Sequence, residues 1–182
     1  YVDAIKRLAR NEKLQNEVNV INQKLSEGKD KSLNTLWKKT RKLSLDSLEK
    51  IYKELNTKFD VYFFESEAEK EGKSIVEELL KKKIAIVSDE AVIMDLKKYN
   101  MGVWVLLRKD RTVLYSAKDL ALAVQKFRRF KIDKSLYVVG AEQALYFSQL
   151  FKTLELMGFE KEKSCVYIPF SEVRLPTGKM SS

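Results

Sequence analysis

Proline occurs only at positions 169 and 176. Nothing in the first 168 residues therefore removes a helical N–H or forces a kink, and long helices are permitted almost throughout. Val2, Ile5, Leu8, Leu14, Val18, Ile21 and Leu25 recur at helical spacing, which predicts an amphipathic helix over 2–27 stopped by Gly28. Leu33, Leu36 and Trp37, then Leu48, Ile51, Tyr52 and Leu55, repeat the pattern over 31–55. Residues 1–57 thus read as a helical hairpin, an inserted or connective segment with 13 basic and 8 acidic residues.

From residue 58 the texture changes. Asp60-Val61-Tyr62-Phe63-Phe64 is β-branched and aromatic and predicts a strand. Ser66 and Glu69 have the spacing of a capping box opening a helix over about 67–82. Strands are expected at 84–87, 135–139 and 165–168. Residues 103–107 and 112–115 flank Lys109-Asp110-Arg111 as a hairpin. Helices are expected after Tyr115, with Leu120, Ala123, Val124 and Phe127 on one face, and over 141–157, with Leu150, Phe151 and Leu154 inward. Strands alternating with helices over 112–170 predict an α/β fold with a parallel sheet.

Composition removes several chemistries. The 182 residues contain no histidine and one cysteine, Cys165. A Ser-His-Asp triad and the usual zinc sites are excluded, and no metal-binding residues are predicted. Cys165 has no internal disulfide partner, so a reducing, cytoplasmic compartment is expected. No apolar run approaches the roughly 20 residues of a membrane helix, and no membrane partner is expected. The formal charge of +9 and the run Lys38-Lys39-Thr40-Arg41-Lys42 suit a polyanionic partner, although such a run is also the ordinary dress of a solvated helix face. A basic RNA-binding module without catalysis is therefore one reading.

In an open α/β sheet, ligands sit beyond the carboxyl ends of the strands. Three strand-to-helix turns carry polar residues: Glu65 after Phe64, Asp119 after Tyr115, and Gly140, Glu142 and Gln143 after Val139. Taken singly, each acid could merely offset a helix N-terminus. Arg174-Leu175-Pro176-Thr177-Gly178-Lys179-Met180-Ser181-Ser182 forms a Pro/Gly loop whose lysine is free to reach a phosphate as a point charge.

Leu114–Ala123, Leu136–Leu145 and Val173–Ser181, in this order, resemble the second half of the catalytic domain of arginyl-tRNA synthetases, a class I aminoacyl-tRNA synthetase family. The likeness covers about residues 58–182. It implies a partial Rossmann-like parallel sheet after the helical hairpin, and ATP- and Mg2+-dependent activation of arginine followed by transfer to tRNA(Arg) by a monomeric enzyme. Matched residue by residue, the family's arginine pocket falls on Glu65, Tyr115, Asp119 and Gln143. The ATP side falls on Gly140, Tyr146, Val173, Lys179, Met180 and Ser181, with Lys179 as the catalytic cation. Two departures are visible: Tyr146 stands where the family usually has histidine, and the upstream His-Ile-Gly-His signature is not among these residues. The chain opens at Tyr1 already in a helical pattern and stops at Ser182, which predicts a piece of a longer protein, inactive alone. Lys-Met-Ser is shared among class I enzymes, so another synthetase or a related nucleotidyltransferase is the alternative within the same chemistry.

The chemistry of the pocket agrees with the assignment. A guanidinium presents five N–H donors in a planar fork and is matched by carboxylates. Glu65 and Asp119 supply two, and a tyrosine adds a ring or hydroxyl contact.

Overall fold

The computed structural model of the protein describes residues 2–171. They divide into two compact units between Val61 and Tyr62. The first is wholly helical: α1 (Val2–Leu8), α2 (Glu12–Glu27) and α3 (Lys31–Glu54). The single helix expected over 2–27 is broken at Ala9-Arg10-Asn11, because Asn11 adopts an extended conformation and its side chain accepts a hydrogen bond from the Lys13 N–H. Gly28 closes α2 with φ +66°, and Asp30 caps α3 through the Leu33 N–H at 3.0 Å. None of the residues of α3 is fully buried.

The second unit opens at Tyr62, and residues 60–64 are not assigned to a strand, so the strand expected there does not form. A β-rich composition favours a strand only where a partner supplies the ladder. Helix α4 spans Glu65–Lys81, earlier than expected. Its N-cap is Phe64 with no side-chain hydrogen bond, so Ser66 and Glu69 make no capping box; both already lie inside the helix.

Next comes an antiparallel sheet, β1 (Ile86–Ser88), β2 (Ala91–Asp95) and β3 (Val103–Leu107), in that order. The strand expected at 84–87 is displaced to β1, and β2 was not foreseen. The β1–β2 turn is Asp89-Glu90, both with positive φ, as a two-residue hairpin loop requires. The hairpin expected over 103–115 has only a vestigial return arm, a single bridge from Leu107 to Val113, because the chain enters α5 (Tyr115–Arg129) immediately afterwards.

A parallel crossover completes the unit: β4 (Ser135–Gly140), a 3-10 turn at Ala141–Gln143, α6 (Ala144–Leu156) and β5 (Cys165–Phe170) paired with β4 in register Ser135–Cys165 through Gly140–Phe170. The five strands thus form two separate sheets, an antiparallel β1–β2–β3 and a parallel β4–β5 pair, rather than the one parallel sheet expected. Val76 and Leu79 of α4, Met94, Leu96 and Leu106 around the antiparallel sheet, Leu120 of α5, and Leu150 and Leu154 of α6 are fully buried in one core. The buried-type reading of 135–139 holds for Tyr137, while Leu136 and Val138 are exposed. Alternation puts their side chains on the opposite face from Tyr137.

Candidate active site

The N-terminus of α5 is tied to β3 twice. The Leu114 N–H donates to the Leu106 carbonyl at 3.1 Å, and the Ser116 hydroxyl donates to the Val105 carbonyl at 2.5 Å. Tyr115 is therefore fixed as the first residue of the helix, and Asp119 follows one turn later on the same face. Opposite them, Glu142 and Gln143 occupy the turn at the carboxyl end of β4, and Tyr146 stands in the first turn of α6. Tyr115, Asp119, Glu142, Gln143 and Tyr146 line a cleft of about 380 Å³. That volume is in the range of small-molecule sites.

The link across the cleft is a hydrogen bond. The Tyr146 hydroxyl donates to Asp119 Oδ2 at 2.5 Å, and the tyrosine ring lies edge-on to Trp104 at 5.5 Å. Burial pushes the Asp119 carboxyl above the usual aspartate range; the Tyr146 hydrogen bond and the Lys126 charge oppose the rise, and the Glu65 charge adds to it. Burial first, and then the Asp119 charge, raise the Tyr146 hydroxyl well above its ordinary value, so it remains a donor. An ionised Asp119 has acceptor capacity beyond the one bond from Tyr146.

Gly140 is buried, and its carbonyl accepts from the Tyr167 hydroxyl at 2.9 Å. A Cβ at this position would strike the Glu142 carboxylate, which folds back over the glycine. Glu65 is the first residue of α4 and does not line the cleft; its carboxylate pairs with Lys118 at 3.4 Å. The helix-terminus explanation therefore fits Glu65 but not Asp119, which lies a full turn inside α5. Val173, Lys179, Met180 and Ser181 lie outside the described residues. The structure thus gathers Tyr115, Asp119, Gln143 and Tyr146, and sets Glu65 on the neighbouring helix within electrostatic reach of Asp119. The sequence reading set Glu142 at the ligand-facing turn after β4 without giving it a role, and the structure makes it a lining acid. The second feature, Tyr146 as the partner of Asp119, escaped it. That pair joins residues 27 apart on different helices, and no local pattern signals it.

Cation binding that depends on ionised Asp119 would be fully present above the pKa of that carboxyl and lost as pH falls through it. In Tyr146→Phe the hydrogen bond that lowers this pKa is gone, so the acid limb of guanidinium binding at this cleft is expected to move to higher pH. Calorimetric titration over a pH series checks this, and a limb that stays put or moves down would sever the link.

A crossover with its cleft at the carboxyl end of a parallel strand is the ligand-binding arrangement of open α/β sheets. Solved structures share this fold. The arginyl-tRNA synthetase of Thermus thermophilus superposes with a TM-score of 0.70 at 19% identity, over 96% of this chain and 36% of its own. That of Plasmodium falciparum gives 0.69 at 20% identity, over 80% and 26%. The family model described as "tRNA synthetases class I (R), catalytic domain" matches residues 1–174, and the chain belongs to that family. It is 40% identical over 156 residues to an arginine–tRNA ligase of Bdellovibrio bacteriovorus, covering 86% of this chain and 27% of the relative. It is 37% identical over 182 residues to that of Clostridium perfringens, covering 100% and 32%. The chain thus spans about a third of the length of these curated relatives.

Proposed function

We propose that this chain supplies the amino-acid-binding half of a catalytic domain that activates arginine with ATP and passes the arginyl group to tRNA(Arg), in a monomeric cytoplasmic enzyme. The observation that carries the reading is the make-up of the cleft: Asp119 and Glu142 bring two carboxylates, Tyr115, Gln143 and Tyr146 bring neutral polar groups, and among the described residues no cation lines it. Such a lining accepts a positively charged head group.

In the reaction, the carboxylate oxygen of arginine attacks the α-phosphorus of ATP and pyrophosphate leaves; a ribose hydroxyl of tRNA then displaces AMP from the arginyl carbonyl. Neither step requires an enzyme nucleophile, which suits a chain without histidine. The work of the protein is positioning and charge stabilisation. Asp119, with Glu65, holds the guanidinium; Tyr115 and Gln143 border it; Gly140 and Tyr146 stand at the strand end toward the nucleotide. Val173, Lys179, Met180 and Ser181 are assigned to the ATP side on the resemblance alone, with Lys179 facing the departing pyrophosphate. Mg2+ would enter with the ATP substrate, held through its phosphates.

The test is ATP–pyrophosphate exchange by the full-length protein with tRNA present. Arginine is expected to drive it and lysine to fail; exchange driven equally by another amino acid, or none at all, overturns the reading.

A further inference from the structure

Lys118 precedes Asp119 on α5 and reaches across to α4. Its Nζ lies 3.4 Å from Glu65 Oε2 and 3.4 Å from Glu69 Oε2, and 5.8 Å from the centre of the Tyr115 ring. The lysine side chain is only 16% exposed, whereas the two carboxylates are 57% and 44% exposed. Glu65 and Glu69 are one helical turn apart, so the ammonium has two equivalent berths.

We propose that Lys118 is a positioning and specificity-determining residue of the arginine site: in the free protein it is shared between Glu65 and Glu69, and it passes wholly to Glu69 when the substrate guanidinium takes Glu65. The inference rests on the reading of Glu65 as an arginine ligand. The trio carries a net charge of −1, which one added cation neutralises. Without Glu69 the exchange would leave a largely buried ammonium facing a second cation with no counter-ion. A guanidinium displaces the lysine with advantage, because its fork binds a carboxylate through two parallel N–H bonds. A substrate ammonium would replace Lys118 with its own chemical equal and gain nothing.

The test compares arginine KM and kcat in exchange assays of the full-length protein. Lys118→Met removes the competitor, so arginine KM is expected to fall about two- to fivefold at unchanged kcat, the range of partly exposed ion pairs. Glu69→Gln removes the second berth and leaves Lys118 on Glu65, so KM is expected to rise by a similar factor. In the double variant KM returns to the Lys118→Met value, because Glu69 acts only through the lysine. A merely structural tie would move both single variants the same way. Shifts of the same sign, or none, with wild-type exchange intact overturn this inference alone. Absence of arginine-dependent exchange in the unsubstituted protein overturns the functional reading and this inference with it.

Discussion

Asp119→Asn is expected to raise the arginine KM of the full-length protein by roughly 30- to 700-fold, the equivalent of about 2–4 kcal/mol for removing one charged partner from a desolvated pair. Asparagine keeps the shape and one acceptor oxygen for the Tyr146 hydroxyl, so the loss reports charge and the second acceptor rather than a cavity. Two further readouts separate binding from damage to the fold. Citrulline, the uncharged isostere of arginine, should bind poorly to the unsubstituted protein and lose little more in the variant. Thermal stability should hold or rise, because burial makes the charged form of Asp119 costly in the folded state and the amide removes that cost. A variant that binds arginine within threefold of the original would show that Asp119 does not read the cation.

The second large effect is structural. Gly72→Ala is expected to destabilise the protein by up to about 2 kcal/mol although alanine is the better helix former. The intrinsic gain is about 1 kcal/mol. Against it, a Cβ at position 72 would stand 2.7 Å from the Ala117 carbonyl oxygen and 3.0 Å from its carbon. Those are backbone atoms of α5, so no side chain can swing aside, and overpacking of this kind costs about 1–3 kcal/mol, occasionally more. The neighbouring lock resists relief by separation: Gln125 donates to Glu71 at 2.6 Å, and Arg128 grips the same carboxylate at 2.8 and 3.0 Å. Moving α5 would also carry Lys118 and Asp119 with it, so arginine KM should rise as stability falls. Ser74→Ala, on the exposed face of α4, is the control and should change stability by less than about 0.5 kcal/mol. Denaturant unfolding of both variants decides; a more stable Gly72→Ala would mean the helices are not in tight contact.

What the sequence disclosed follows the range of its physical signals. Helix α5, the β4–α6–β5 crossover and the polar turn at residue 140 were legible because their apolar spacing is local and strong. Tyr115 and Asp119 were correctly set on one stretch, although Asp119 proves to lie inside the helix rather than at its mouth. Strand β2 was hidden because its turn, Asp89-Glu90, lacks the glycine or asparagine that usually announces positive φ. Residues 60–64 had the composition of a strand, but strands are completed by partners that composition does not name. The hydrogen bond from Tyr146 to Asp119 and the double pairing of Lys118 with Glu65 and Glu69 join separate elements. Only the packed helices reveal them.

Where a planar cation is held decides the function of this cleft. The most direct measurement is a crystal structure of the full-length protein with arginine bound. The account predicts guanidinium nitrogens within about 3.2 Å of both the Asp119 and Glu65 carboxylates, with Lys118 withdrawn to Glu69. Arginine seated with its guanidinium away from Asp119, or held there by main-chain oxygens alone, would contradict it.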